Sequence, residues 1–262
     1  MNSSYHLHKG RLGMLISMPH NGQCIPDEIA KLMTEEGRKV PDTDWYMDKL
    51  YDFAADLGIS IIAPKYSRYV IDLNRDITGV NLYPGANSTE LCPTTAFDLS
   101  PLYLEGQMPD EKEVSRRIEL YWQPYHQAVS DTLARMKQEF GKVVLLDAHS
   151  ILSQVPRFFE GQLPDFNFGN ADGNSCSEAL IDQVRHLDFQ PYSSVVNGRF
   201  KGGYITRAYG KPEENIHALQ LELSQRTYMD EPSDKYNETK AAQVKLKLEC
   251  FVRCLADFAQ QK

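Results

Sequence analysis

Short apolar runs alternate with longer amphipathic segments along the chain. The run at residues 14–18 lies between a glycine and a proline, and the run at 142–149 ends in polar residues, so both predict buried strands. Apolar residues at helical spacing predict helices at 111–140, interrupted by a proline, and at 234–261. The alternation predicts an α/β fold with a mainly parallel sheet flanked by helices, which binds ligands beyond the carboxyl ends of its strands.

The remaining segments extend this pattern. Residues 76–110 are rich in proline, glycine, asparagine and threonine and predict a long loop region, within which 78–98 is a candidate lid. We predict helices at 26–39, 44–58 and 177–187, strands at 192–200 and 217–224, and two strands within 59–73, one on each side of Pro64.

Composition narrows the class of protein. The 262 residues allow one large α/β domain or two small ones, and the net charge of −8 argues against a general nucleic-acid surface. No apolar run approaches the roughly 20 residues that span a bilayer, and residues 1–13 lack the apolar core of a signal peptide. The five cysteines form no CxxC pair, which argues against a disulfide framework or a zinc knot. We therefore expect a cytoplasmic protein that binds neither nucleic acid nor membrane.

Histidines stand at the ends of two predicted strands. His20 follows the first run and His149 ends the second, so parallel strands would bring both to one edge of the sheet. Acidic residues at 42, 44 and 48 lie near a predicted helix start. Two histidines and one carboxylate are a ligand set for catalytic zinc. Solvated strand ends and a helix-capping carboxylate explain the same residues, and the pattern alone leaves both interpretations open.

Two segments carry cations where a ligand could be held. The first segment lies at the end of an apolar run. Its arginines could bind a carboxylate through two parallel hydrogen bonds, and its asparagine could donate a further one; the alternative is a surface ion pair. The second lies among glycines, where the backbone could approach a ligand, although a hairpin with a basic face is the alternative. The residues are Arg68, Asn74 and Arg75 in the first segment, and Arg199, Lys201 and Arg207 in the second.

A carboxylate interrupts the apolar strand predicted at 217–224. In a strand Glu222 shares one face with Gln220 and Ser224, which is a polar face suited to a cavity. There it could act as general base toward a metal-bound water, whereas a solvent-facing edge strand is the alternative. His217, five residues away, is expected on the opposite face.

Seven blocks of the sequence stand in order between about residue 10 and residue 230. They are "SMPHNG", "DTDWYMDKLYDFA", "YSRYVIDLNR", "DAHS", "LPDFNFGNADGNSC", "NGRFKGGYITRAYG" and "QLELSQRTYM". Together they resemble the N-formylglutamate amidohydrolase family. The resemblance implies one domain over 1–262 with a fold similar to the zinc carboxypeptidases, a mixed sheet with helices on both sides. It also implies hydrolysis of N-formyl-L-glutamate, a small dicarboxylate, to formate and L-glutamate in histidine degradation, with a divalent metal, expected to be Zn²⁺.

The resemblance also implies roles for individual residues. Tyr46 stands where the family blocks carry histidine, and we assign it no metal role. The implied metal ligands are His20, His149 and a carboxylate of "DTDW", for which Asp44 is preferred and Asp42 is the alternative. The implied catalytic residue is Glu222, and the residues implied to bind the two substrate carboxylates are Asn74 with Arg75, and Arg68, Lys201 or Arg207.

Two other functions are open to the same residues. One is a metallohydrolase for another N-formyl or N-acyl amino acid or for a peptide, which substrate profiling would separate. The other is a non-catalytic protein that binds acidic metabolites, which a metal assay would test. Nothing in the sequence indicates an oligomeric state.

Overall fold

A seven-stranded sheet organises residues 3–80 and 87–261, the part of the chain that this computed structural model describes. Its strands are β1 (Tyr5–His8), β2 (Met14–Ser17), β3 (Ser60–Pro64), β4 (Val143–Ile151), β5 (Phe166–Gly169), β6 (Ser194–Val196) and β7 (Ile216–Ser224), and a separate two-stranded pair joins β8 (Met229–Asp230) to β9 (Lys235–Tyr236). The strand order in the sheet is β1-β3-β2-β4-β7-β5-β6, and β3, β2, β4 and β7 run parallel to one another. β1 pairs antiparallel with β3, and β5 pairs antiparallel with β7 and parallel with β6, so the sheet is mixed.

Helices cover both faces of this sheet. Successive residues of β2 pack on opposite faces: Leu15 lies in one apolar cluster with the helix at 123–140, and Ile16 lies in another with the helices at 178–185 and 238–260. The predicted α/β fold, mainly parallel and flanked by helices, is therefore confirmed. The helices are α1 (Asp27–Ala30), α2 (Glu35–Arg38), α3 (Met47–Leu50), α4 (Phe53–Asp56), α5 (Glu111–Arg117), α6 (Gln123–Phe140), α7 (Glu178–Arg185), α8 (Tyr204–Tyr209) and α9 (Glu238–Gln260), with a π-helical segment at Ile118–Trp122 and 3₁₀ turns at Ala171–Gly173, Pro212–Glu214, Gln225–Thr227 and Glu231–Ser233.

Several predicted elements differ from those observed. The helices predicted at 26–39 and 44–58 are each a pair of four-residue helices, and β1, β5 and α8 were not predicted. In the loop region predicted at 76–110, the described residues contain no helix or strand. Residues 81–86 of the candidate lid lie outside the described residues. Among the helices of the described chain, none has the length and apolarity needed to cross a bilayer.

The second strand predicted within 59–73 is wrong, because β3 ends at Pro64 and turns follow it. We call residues 65–75 the site loop. Its apolar side chains are buried, which explains why the sequence resembles a strand. Its backbone, however, is bonded largely outside any strand: Asp72 N–H donates to Leu91 O, and the carbonyls of Val70, Leu73 and Arg75 accept from side chains.

The donors to those three carbonyls lie on the helical segment 111–140. Arg117 Nη1 donates to Val70 O at 3.0 Å, Trp122 Nε1 to Arg75 O at 3.0 Å, and His126 Nε2 to Leu73 O at 2.9 Å. Burial lowers the pKa of His126 to about 4, so its ring is neutral and donates through one nitrogen only.

The predicted proline interruption takes the form of the π-helical segment. Pro124 has no N–H and cannot bond Leu120 O, and directly before it Gln123 N–H bonds Ile118 O, five residues back. The wider turn absorbs one extra residue. Arg117 and Trp122, five apart, therefore face the same side as if they were four apart, and the three donors form one stripe over the site loop.

We expect Arg117→Met to destabilise the protein by about 3 kcal/mol, measured by urea unfolding, because it leaves a buried carbonyl and a buried hydroxyl without their donor. Arg117 is fully buried and also bonds Glu113 at 2.8 Å and Tyr103 Oη at 2.9 Å. The control is Arg253→Met. Arg253 pairs with Glu249, four residues earlier, just as Arg117 pairs with Glu113, but it does so on the exposed face of α9. Equal stability of the two variants would contradict the anchoring role of Arg117.

Candidate active site

The sheet register brings the two predicted histidines together. Ser17 of β2 lies opposite Asp147 of β4, so His20, which follows β2, lies beside the end of β4. His149 of β4 lies opposite Glu222 of β7. Asp44 joins them from the segment between α2 and α3, where its N–H donates to His20 O at 3.1 Å.

His20, Asp44 and His149 form a buried group whose ligand atoms all lie within 4.8 Å of one another. Asp44 Oδ2 lies 3.1 Å from His149 Nδ1 and 3.9 Å from His20 Nδ1, and it accepts Ser150 N–H at 3.1 Å. Asp42 lies elsewhere: its Oδ2 accepts from Tyr69 Oη at 2.5 Å and from Phe97 N–H at 2.8 Å. The structure therefore places Asp44, rather than Asp42, with the two histidines.

A buried carboxylate supports each histidine from behind. His20 Nε2 donates to Asp72 at 2.7 Å, and His149 Nε2 donates to Asp147 at 2.9 Å. Both aspartates are fully buried. Metal-binding histidines usually donate their second ring nitrogen to such a carboxylate, which fixes the tautomer and turns the other nitrogen to the metal. Two Nδ1 atoms and one carboxylate therefore fit a divalent metal.

Both oxygens of each of these carboxylates accept hydrogen bonds, because further donors bond them. Asp72 also accepts from Arg68 Nη2 at 2.8 Å and from Asn74 N–H at 2.9 Å. Asp147 also accepts from Thr206 Oγ1 at 3.0 Å. Burial alone would raise the pKa of Asp72, but His20 and Arg68 outweigh it and hold that pKa well below its usual range.

Burial and neighbouring charges also perturb the groups that face the cavity. Burial would lower the pKa of His149, but Asp147 and Asp44 outweigh it and hold that pKa well above its usual value. Burial raises the pKa of Glu222, and the nearby Asp44 raises it further. A carboxyl group with a raised pKa can carry a proton near neutral pH, as a general acid–base group must.

A cavity that is open to solvent lies over the buried group, and concave sites of this kind are where proteins bind small molecules. Asn87, Ser88 and Phe97, from the candidate lid, lie at its wall. The remaining lining residues are His20, Asp44, Arg68, Asn74, Arg75, His149, Ser150, Ile151, Phe158, Arg199, Phe200, Gly203, Gln220 and Glu222.

Three of the predicted substrate-binding residues line this cavity. Arg68 stacks 4.9 Å from the Phe97 ring, and Arg75 bonds the carbonyl and hydroxyl of Thr89 at 3.1 and 3.2 Å. Asn74 Nδ2 lies 2.9 Å from His149 Nε2, and its Oδ1 accepts Ile205 N–H at 2.8 Å.

Glycine at position 203 makes the placement of Asn74 possible. A Cβ atom on Gly203 would lie 2.4 Å from Asn74 Nδ2, which is too close for any side chain. Gly203 N–H also donates to Gln220 Oε1 at 2.6 Å, so the start of α8 is held against β7.

The structure separates the cations of the glycine-rich segment. Arg199 lines the cavity, whereas Lys201 and Arg207 are not among its described lining residues. Lys201 Nζ pairs with Asp172 at 3.2 Å with its side chain 41% exposed, and Arg207 Nε donates to Gly202 O at 2.9 Å. Contact of Lys201 or Arg207 with a substrate stays a prediction.

The residues near Glu222 divide between the two faces of β7. Gln220 lines the cavity with Glu222, as the strand alternation predicts. His217 lies on the other side, with its ring 5.1 Å from that of Phe258 on α9. Tyr46 lies apart from the buried group, and its hydroxyl donates to Asp234 O at 3.1 Å.

Sequence reasoning did not assign the two supporting carboxylates. For Asp147 a signal existed, because residues two apart on a strand share a face and Asp147 precedes His149 by two. For Asp72 there was none, since its contact with His20 depends on the turns of the site loop.

Comparison with known proteins gives consistent matches. The family model of N-formylglutamate amidohydrolase matches residues 12–229. An N-formylglutamate deformylase of Pseudomonas putida is 44% identical over 265 residues, covering 100% of this chain and 99% of that protein. One from Pseudomonas aeruginosa is 50% identical over 225 residues, covering 85% and 84%.

Solved structures agree with these matches. A crystal structure of N-formylglutamate amidohydrolase from Ralstonia eutropha JMP134 superposes with a TM-score of 0.84 at 26% identity, covering 98% of each chain. A gene product of Agrobacterium tumefaciens, with a TM-score of 0.73 at 16% identity over 98% of this chain and 96% of its own, shares the fold.

On the premise that the buried group holds a divalent metal, we expect Asp44→Asn to weaken zinc binding by at least about 100-fold, because the change would replace the carboxylate of that group by a neutral amide. Asp42→Asn should leave zinc binding unchanged, since Asp42 bonds Tyr69 and Phe97 instead. Competition with a colorimetric chelator measures both affinities. Loss of zinc in Asp42→Asn with retention in Asp44→Asn would assign the carboxylate ligand to Asp42.

Proposed function

The chain belongs to the N-formylglutamate amidohydrolase family, and on that premise we propose that it hydrolyses N-formyl-L-glutamate to formate and L-glutamate. The observation that carries the proposal is the buried group of two histidines and one aspartate beside Glu222, under a cavity lined by three arginines. The group fits a metal-dependent attack on an amide, and the arginines fit an anionic substrate.

In this proposal His20, Asp44 and His149 hold a divalent metal, for which we expect zinc. The donor set of two imidazoles and one carboxylate is one that catalytic zinc uses, and the bonds to Asp72 and Asp147 orient both rings. When bound, such a metal polarises a carbonyl and lowers the pKa of water.

Glu222 is the proposed proton carrier. Its position opposite His149 in the sheet register places it beside the proposed ligands, facing the cavity. It accepts a proton from the attacking water and delivers that proton to the departing amine of glutamate. Burial, which raises its pKa, favours the protonated form that the second transfer needs.

Arg68, Asn74 and Arg75 are proposed to hold the substrate. Arg68 is bonded to Asp72, the partner of His20, so its charge is fixed near the reacting carbonyl, where negative charge develops. Asn74 and Arg75 lie next to each other at the cavity wall and can together bind one carboxylate. These fixed cations explain how a protein with a net charge of −8 could take a dianionic substrate.

The proposal keeps the wider context predicted from the sequence. It includes one domain over 1–262, a cytoplasmic setting, a role in histidine degradation, and no nucleic-acid or membrane partner. A metallohydrolase for another N-acyl or N-formyl amino acid is the alternative that the same assay tests.

We expect zinc-loaded wild-type enzyme to release formate from N-formyl-L-glutamate, and Glu222→Gln to reduce kcat by about 10³-fold while keeping its zinc, because the amide cannot carry the proton. Formate release and zinc content are measured on the same samples. The control Glu178→Gln, on the exposed side of α7, should keep full activity.

Two results would count against this mechanism. Full activity of Glu222→Gln would remove Glu222 as the proton carrier. Release of formate only from other N-formyl amino acids, or no release from zinc-loaded enzyme, would overturn the proposed substrate.

A further inference from the structure

A third arginine lines the cavity from a part of the chain remote from the other two. Arg199 follows β6, whereas Arg68 and Arg75 belong to the site loop. Its Nε donates to Phe158 O at 2.6 Å, and its guanidinium lies 5.4 Å from the centre of the Phe200 ring. These contacts hold the guanidinium against the wall that Phe158 and Phe200 form, so little conformational entropy is lost when it binds a ligand.

The other two arginines are tied to the metal-binding end of the site. Arg68 bonds Asp72, which in turn bonds His20. Arg75 is joined to Asn74, whose amide contacts His149. Arg199 supplies a cation to the same cavity wall from another part of the chain, after β6.

We propose that Arg199 binds the side-chain carboxylate of the substrate and thereby selects an acidic N-formyl amino acid over a neutral one. The inference rests on the proposed function and adds the residue that determines side-chain specificity. With one carboxylate held by Asn74 and Arg75, the second needs its own partner, and the planar fork of an arginine matches a carboxylate. The phenylalanines beside Arg199 can pack against the methylene groups between the carboxylates.

The positions of Lys201 and Arg207 support this assignment. They come from the same glycine-rich segment as Arg199, but of the three only Arg199 is among the described lining residues of the cavity. Lys201 is paired with Asp172 and Arg207 bonds the backbone of Gly202.

The test compares kcat/KM for N-formyl-L-glutamate with that for N-formyl-L-glutamine, which has the same shape and lacks the charge. In Arg199→Gln we expect kcat/KM to fall about 100-fold for the glutamate and to change little for the glutamine, so that the preference collapses. Arg199→Lys keeps the positive charge but loses the two parallel N–H donors of the guanidinium, so we expect an intermediate preference. This variant also tests the inference if Arg199→Gln does not fold. The control Arg185→Gln, in an exposed ion pair on α7, should keep the wild-type preference.

Three kinetic results would overturn the inference. They are an unchanged preference in Arg199→Gln, an equal loss for both substrates, and a collapse of the preference in Lys201→Gln in place of Arg199→Gln.

Calorimetry of product binding separates this inference from the proposed function. We expect wild type to bind L-glutamate more tightly than L-glutamine, and Arg199→Gln to lose that difference. If wild type hydrolyses neither formyl compound but shows this binding pattern, the proposed function fails and the role of Arg199 stands. If wild type shows no preference for L-glutamate, the role of Arg199 is overturned.

Discussion

The structure depends on a cluster of buried ionisable side chains at the carboxyl ends of β2, β4 and β7, each of which needs a bonding partner. An unpaired charge in this environment would cost several kcal/mol, so each group must meet a partner of opposite charge or a set of hydrogen bonds. The pairs found here meet that demand: each histidine has its own aspartate, and Asp72 has an arginine besides. Arg68 and Asp72 come from the site loop and Asp44 from the segment before α3, so the cluster ties the sheet to the loops around it. Its members are His20, Asp44, Arg68, Asp72, Asp147, His149 and Glu222, none more than 8% exposed.

The site loop is the part of this arrangement that a sheet could not supply. A strand between Pro64 and Leu73 would set the Cα atoms of Arg68 and Asp72 about 13 Å apart, whereas the Arg68 guanidinium bonds the Asp72 carboxylate at 2.8 Å. Turns achieve this, but they leave backbone carbonyls that need donors. The stripe of Arg117, Trp122 and His126 supplies those donors, and the π-helical segment aligns them. The π-helical segment therefore positions the donors that the irregular backbone of the site loop needs.

The features that could be predicted from the sequence are those set by hydrophobic periodicity and by the positions of strand ends. Alternation of buried runs and helices identified the fold class, and parallel strand ends brought His20 and His149 together. The choice between Asp44 and Asp42 was not predictable, since a two-residue spacing near a short helix does not say which carboxylate turns inward. The prediction of a second strand between Pro64 and Leu73 failed because the buried side chains of Tyr69, Val70 and Ile71 resemble those of a strand, while tertiary contacts determine the backbone. Likewise, a run of cations among glycines does not reveal which one faces the cavity.

The cavity separates reaction from recognition in a physically useful way. The groups that would handle charge and protons lie on or next to central strands, where packing restricts the positions of side chains. Arg199 and the phenylalanines beside it lie on connecting segments after β4 and β6, which tolerate substitution better. A change in those segments could alter which side chain is accepted without disturbing the buried charges. Because the buried group must stay compensated whatever the substrate is, selectivity in this fold is more easily varied at the cavity wall than at its base.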